Sequence, residues 1–369
     1  MRFTDEQRCL LWLSAAEITA DRVQRLIAKR GSACALWEDY RQGEPLTANG
    51  DAAKVLARWH SNAALDALCE RIDQKGLTVL FQEDEAYPAL LKCIDDAPYV
   101  LYAMGDMSAL RRPAVAIVGT RYPSGYGKNV ARAIAAGLGQ AGVTVVSGLA
   151  RGIDASAHEG AVEGGGPTVA VLGSGVNVPY PIENVGLYRK IAEGEGILLS
   201  EYPMDAAPVT YHFPHRNRVI SGLSHGIVFV EGKVKSGGMI TVRTALDQGR
   251  EVFAVPGCVG QAVSEGPHAI LREGARLVTS AADVLLDMGL ERFLEQPHAE
   301  PEPPLGENET QVRVLRALLR EPMGLDNLCE ATGHSADQLM AELSIMEIMG
   351  QIRRDSGNIF ALAIRPSRQ

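Results

Sequence analysis

Val115-Ala116-Ile117-Val118-Gly119-Thr120-Arg121 reads as a short buried strand that closes on a glycine-bearing turn and then on an arginine. The same order of apolar run and glycine turn returns at Val143–Gly148, Thr168–Gly173, Ile227–Gly232 and Val252–Gly257, while a sixth run, Gly196–Ser200, ends on Glu201-Tyr202. Runs of four to six β-branched and aliphatic residues, spaced by segments of helical length, are the pattern of parallel strands covered on both faces. Crossovers between such strands are right-handed, so the block to about Met288 is expected to be a doubly wound, mostly parallel α/β sheet. Ligands bind these sheets at the carboxyl ends of the strands. Here those ends carry arginine, serine, threonine and bare glycine amides, all of them phosphate-binding groups.

Outward from that block, residues 1–70 read as a helical domain. Leu10, Leu11 and Leu13, then Val23, Leu26 and Ile27, fall at helical spacing, with Thr19 as an N-cap and Gly31 as a stop. Residues 71–290 form the α/β domain, with Leu77–Phe81 and Tyr99–Ala103 as strands preceding the main sheet. Residues 291–309 read as a linker, because Gln296–Glu309 holds four prolines and four glutamates and no Lys or Arg. In residues 310–369, Thr310–Arg320, Leu325–Ala331 and Ala336–Met349 read as three helices. Ile352–Asp355 and Ile359–Leu362 form a hairpin around Ser356-Gly357-Asn358. Three helices and a hairpin make a winged helix-turn-helix.

The 369-residue chain carries a formal net charge of −9, which argues against a nucleic-acid partner until the charge is located. Residues 111–260 carry a net +3 and the remainder −12. No acid occurs over 107–153, which holds Arg111, Arg112, Arg121, Lys128, Arg132 and Arg151, nor over 206–230, which holds Arg216, Arg218 and three histidines. A positive field at the strand ends is therefore expected on an acidic protein. The six cysteines, Cys9, Cys34, Cys69, Cys93, Cys258 and Cys329, show no metal or disulfide spacing, and no apolar stretch reaches membrane-spanning length. A cytoplasmic protein with reduced thiols and no metal, cofactor or membrane partner is expected.

Three turns make candidate anion cradles. Gly119-Thr120-Arg121 precedes a helix over Lys128–Leu138, Ser147-Gly148-Leu149-Ala150-Arg151 precedes a helix opened by Asp154, and Ser236-Gly237-Gly238 follows Lys233 and Lys235. Helix N-terminal amides aimed at a strand end attract anions. Three along one edge suit several phosphates at once. Gly137-Leu-Gly139-Gln-Ala-Gly142 matches the dinucleotide fingerprint by spacing only, since it ends a helix and precedes a strand. Ser147, Asp154, Ser156 and His158 do not make a catalytic triad, as the nucleophile elbow is missing. Phe213-Pro214-His215-Arg216-Asn217-Arg218 is the most specific element: an aromatic to stack on a base, two arginines for phosphate and an amide for a base or sugar. The second helix-turn-helix helix carries Asp337, Gln338, Glu342 and Glu347 and no basic residue, so duplex DNA would repel it. Arg353 and Arg354 are the only nearby counterweight, and an accessory or protein-contact role is expected of this domain.

These motifs, together with Ala170-Val-Leu-Gly173, Tyr180-Pro181, Tyr87-Pro88 and Gly249-Arg-Glu-Val-Phe-Ala-Val-Pro-Gly257, resemble the DprA/Smf family of DNA-processing proteins of natural transformation. The resemblance implies an extended Rossmann-like domain flanked by a SAM-like helical domain and a winged helix. It also implies a non-enzymatic homodimer that binds single-stranded DNA and helps load RecA. By motif match, Gly119, Thr120, Arg121, Ser147, Gly148, Phe213, Arg216, Asn217 and Arg218 become expected DNA-binding residues, and the cradle reading adds Arg151, Lys233, Ser236, Gly237 and Gly238. Gly266-Pro267-His268 stands where the family usually has Gly-x-Asn. A nucleotide- or phosphoribosyl-processing enzyme of the lysine-decarboxylase-like type is the competing reading. It lacks the acid such enzymes need after the Gly-Gly turn, where this chain has Val242-Arg243-Thr244-Ala245.

Overall fold

The computed structural model describes residues 3–47, 50–290, 308–320, 322–349, 351–355 and 359–362. The chain divides into two compact units, one within residues 1–296 and one within 297–369.

The first unit is built on nine strands: β1 (Thr78–Phe81), β2 (Val100–Gly105), β3 (Ala114–Val118), β4 (Thr144–Ser147), β5 (Thr168–Val171), β6 (Gly196–Ser200), β7 (Gly226–Phe229), β8 (Glu251–Ala254) and β9 (Arg276–Leu277). Their order across the sheet is β1-β2-β6-β5-β4-β3-β7-β8-β9. β3 to β9 pair in parallel, and β2 joins β6 antiparallel, with β1 outside it. The six apolar runs are thus six adjacent parallel strands. The two runs placed ahead of the main sheet belong to it, as its antiparallel edge.

Helices cover both faces. α7 (Gly125–Gln140), α8 (Ile153–Glu163) and α13 (Ala281–Asp287) pack on Val115, Ile117, Val145 and Val228. The opposite face, with Ala116, Val118, Val146 and Ile227, takes α6 (Ala89–Lys92), α10 (His212–Gly222), α11 (Gly237–Asp247) and α12 (Glu265–Arg272). α9 (Val185–Lys190) lies over Ala170 and Leu198. Alternate residues of each strand feed opposite cores, which is why the runs are apolar without interruption.

The N-terminal helices α1 (Asp5–Ala15), α2 (Ala20–Arg30), α3 (Ala33–Arg41), α4 (Gly50–Trp59) and α5 (Asn62–Gln74) surround Trp12, whose indole N–H donates to the Leu56 carbonyl at 2.9 Å. α2 starts after Thr19 and stops at Gly31, whose φ of 94° only glycine adopts without strain. This helical core runs on into Val79, Phe81, Val100 and Tyr102 of β1 and β2, so helices and sheet share one apolar interior.

The second unit holds α14 (Glu309–Arg320), α15 (Leu325–Thr332) and α16 (Ala336–Ile348) around Val314, Leu328, Leu339 and Leu343, with a small sheet of β10 (Met323–Gly324), β11 (Ile352–Asp355) and β12 (Ile359–Leu362) in the order β10-β12-β11. The greater part of the linker, and the turn at 356–358, lie outside the described residues. Asp337, Gln338 and Glu347 are exposed on α16, whereas Glu342 accepts from Asn308 and Gln311 at the start of α14.

Candidate nucleic-acid interface

The chain leaves β3 toward β4 and leaves β7 toward β8, so the loops after these adjacent strands part and open a crevice between them. A groove of about 570 Å³ lies there. Among its walls are Gly119, Thr120 and Arg121 from the end of β3, Phe213, Arg216 and Asn217 from α10, and Ser236, Gly237 and Gly238 from the start of α11. Nine of the expected residues therefore meet in one place. Ser147, Gly148, Arg151, Arg218 and Lys233 are not among its walls.

Two of the three anion cradles are already filled by the protein's own carboxylates. At the first, α7 begins at Gly125, three residues before the expected Lys128, and Glu231 occupies its N-terminus. The Ser124 amide donates to Glu231 Oε2 at 2.8 Å and the Ser124 hydroxyl to Oε1 at 2.6 Å. Glu231 is buried, and a Cβ at Gly127 would fall 2.4 Å from its carboxyl carbon, so only glycine fits beneath it. At the second cradle, Asp154 Oδ2 accepts from the Gly148 amide at 3.2 Å and the Ala150 amide at 3.4 Å. Ser147 is fully buried and donates to the Ile117 carbonyl at 2.7 Å. Ser147 and Gly148 thus do not present donors to an incoming phosphate, because the helix dipoles are neutralised from within. The third turn is open. Ser236 caps α11 by accepting from the Met239 amide at 3.4 Å, and among the described residues the Gly237 and Gly238 amides have no protein acceptor.

Arg216 is buried beneath the groove. Its Nη1 donates to the Gly148 carbonyl at 2.9 Å and to the Val171 carbonyl, and its Nε donates to Asn217 Oδ1 at 3.3 Å. Asn217 in turn donates to the Gly237 carbonyl at 3.4 Å, which ties the arginine to the open turn. Burial lowers the Arg216 pKa to about 10, leaving it cationic at neutral pH. Burial raises Asp154 to about 6 against the pull of the Arg216 charge and of two backbone amides. Gly148 is wedged between this pair: a Cβ there would lie 2.5 Å from Arg216 Nη2 and 2.8 Å from Asp154 Oδ2. His158 donates from Nδ1 to Thr168 Oγ1 at 2.7 Å and accepts the Leu149 amide on Nε2 at 3.3 Å, so it is a packing group. Burial pushes its pKa down to about 3.

Arg218 points elsewhere. It pairs with Glu201, reaches Asp96 Oδ2 at 3.1 Å and donates to the Asp96 carbonyl at 2.7 Å, with its side chain 6% exposed. The acid-free window around it misleads because its partners come from distant parts of the chain. Arg151 is exposed, pairs with Glu183 at 3.1 Å and lies 5.6 Å over the Tyr122 ring. Lys233 is exposed outside the groove. At its mouth, the exposed Arg121 guanidinium sits 5.6 Å over the Phe213 ring, and Phe213 stacks on Tyr180 with centroids 5.4 Å apart and planes at 28°. Tyr180, 41% exposed, carries no expected role in the sequence reading, although an aromatic in the long segment between β5 and β6 was the available signal.

The family model described as DNA recombination-mediator protein A matches residues 78–289, and that of the DprA winged helix domain matches 296–358. The chain belongs to the DprA/Smf family. It is 37% identical to Protein Smf of Escherichia coli over 79% of each chain, and 42% identical to DNA processing protein DprA of Bacillus subtilis over 58% of this chain and 72% of that one. The X-ray structure of DprA from Streptococcus pneumoniae superposes with a TM-score of 0.64 at 32% identity, covering 78% of this chain and 99% of that one. The DprA structure of Helicobacter pylori, which concerns that protein's single-stranded DNA binding mode, gives a TM-score of 0.53 at 29% identity over 57% of this chain and 95% of that one. The DprA/Smf assignment accounts for the mostly parallel sheet and the C-terminal winged helix. Gly266-Pro267-His268 forms the first turn of α12, where the Gly266 amide donates to the Gly232 carbonyl at 2.8 Å and His268 Nε2 reaches the Gly257 carbonyl at 3.0 Å, so the start of this helix is tied to both neighbouring turns. No described helix is long and apolar enough to cross a membrane.

Proposed function

We propose that the groove binds single-stranded DNA without sequence preference. The observation that carries this reading is the Arg121–Phe213–Tyr180 stack standing beside the open Ser236–Gly238 turn. Unpaired bases offer π-faces to the aromatic pair, while Arg121 and the free amides of α11 take the phosphates, a combination indifferent to base identity. Arg216 acts from below, through its charge and by fixing the turn. Asp154 is held by two amides and neighbours Arg216, so it is a tie between strand ends and not a free acid for catalysis. The protein on this reading is a non-enzymatic, cytoplasmic homodimer that delivers the strand to RecA during DNA uptake, as the family membership suggests.

Fluorescence anisotropy with single- and double-stranded oligonucleotides of equal length tests the core of it. Preferential single-strand binding that Arg121→Ala weakens alike for all sequences is the expected result. Equal affinity for both forms, or no change in the variant, overturns it.

A further inference from the structure

α10 carries Phe213 into the groove, and the start of that helix is tied to the N-terminal helices. His212, its first residue, is 1% exposed. The ring bridges two distant segments: Nδ1 lies 3.1 Å from the Gly173 carbonyl, and Nε2 lies 3.2 Å from the carboxylate of Glu17, in the turn between α1 and α2. A carbonyl only accepts, so Nδ1 carries the proton that bonds Gly173 and Nε2 is left to pair with Glu17. Tyr202 stacks on the ring with centroids 3.7 Å apart, and its hydroxyl donates to the His212 carbonyl at 3.2 Å. Glu17 bonds the side chain of Tyr211 as well. One acid of the helical domain therefore holds both residues that precede Phe213.

The same bridge reaches Phe213 from beneath. A Cβ at Gly173 would fall 2.8 Å from Phe213 Cδ1 and 3.1 Å from Cε1, so the residue whose carbonyl His212 grips is also the floor on which the aromatic ring lies. Glu17 holds a φ of 51°, a left-handed conformation that costs free energy at a residue with a Cβ and persists where its surroundings fix it. It is not among the walls of the groove.

We propose that Glu17 is a positioning residue for the groove. Through His212 and Gly173 it fixes the face that Phe213 offers to a base, so the helical domain sets the affinity for a strand it does not touch. The inference rests on the reading of the groove as a single-strand site.

Fluorine NMR of the full chain labelled with 4-fluorophenylalanine reports the ring in the absence of DNA, with the Phe213 line assigned by its loss in Phe213→Leu. Glu17→Ala should shift that line, and Glu17→Gln, which keeps a hydrogen-bonding partner for His212, should restore it. Anisotropy with a single-stranded oligonucleotide reads the consequence. Binding about fivefold weaker in Glu17→Ala, near wild type in Glu17→Gln, and not weakened further when Glu17→Ala is added to Phe213→Ala is the expected pattern. A merely structural role would leave the loss in place in the Phe213→Ala background. An unmoved Phe213 line, wild-type affinity in Glu17→Ala, an equal loss in Glu17→Gln, or full additivity with Phe213→Ala overturns the proposal. Failure of the wild-type chain to bind a single strand overturns the DNA reading instead, and the fluorine line then still decides whether Glu17 holds the ring.

Discussion

The carboxylate of Glu231 accepts both the amide and the hydroxyl of Ser124, at 2.8 and 2.6 Å, so an acid 107 positions away caps the helix that follows β3. Hydrogen bonds to a charged acceptor contribute about 1.5–3 kcal/mol each, and a helix N-terminus favours the negative charge further. Glu231→Ala should therefore lower the unfolding free energy of the first unit by roughly 2–4 kcal/mol. Urea denaturation followed by circular dichroism measures it, and a loss below about 0.5 kcal/mol would show that water replaces the carboxylate at no cost.

Arg218 and Arg121 should separate stability from binding. Arg218→Ala leaves Glu201 buried without its cation and is expected to cost about 3–5 kcal/mol of stability. Arg121 is exposed at the groove mouth, so Arg121→Ala should change stability by no more than about 0.5 kcal/mol while weakening oligonucleotide binding. Denaturation midpoints and anisotropy on the same preparations give the two readouts, and the reverse pattern would invert the assignment of these arginines.

Tyr180 and Phe213 should each contribute stacking energy. Replacing either with Ala is expected to reduce affinity for single-stranded DNA by roughly 1–3 kcal/mol. Tyr180→Phe keeps the ring and should bind as wild type. If Tyr180→Phe loses as much as Tyr180→Ala, the hydroxyl and not the ring is the contact.

Asp154 gives the groove a pH response. Its pKa is raised from 3.8 to about 6, so the folded state favours the protonated form. Its contribution to stability is greatest below the ordinary value and is lost as the pH rises through 6. Protonation also removes a negative charge beside the groove, so oligonucleotide affinity should increase as the pH falls from 7 to 5. His158 stays neutral over that range. Asp154→Asn should flatten both profiles, and an unchanged profile in the variant would assign the response to another group.

The strands were legible because six fully buried runs separated by helical lengths leave little else to build, and because each reading needs only local sequence. Thr19 and Gly31 bounded α2 for the same reason: both signals lie within the element they end. The site was legible only in part. Gly119, Arg121, Phe213 and Gly237 could be placed on one edge because they lie in the segments next to strand ends of a parallel sheet, but whether a turn was vacant depended on acids brought in from elsewhere. Glu231 fills the turn after β3, and Glu201 and Asp96 take Arg218 from 17 and 122 positions away. Charge counted along a window of sequence cannot register a partner that arrives through the fold. The two-residue strand β9 was missed because so short a run carries no periodicity.

The prefilled turns bear on how a strand would be let go. On the proposed reading, Glu231 and Asp154 leave one amide cluster and one exposed arginine for phosphate, so few counterions would be released on binding. Each phosphate contacted steepens the log–log salt dependence by about 0.7 for a single strand. A shallow slope would follow, with adhesion resting mainly on stacked rings. On that reading such a hold would resist physiological salt yet could yield one stacked base at a time.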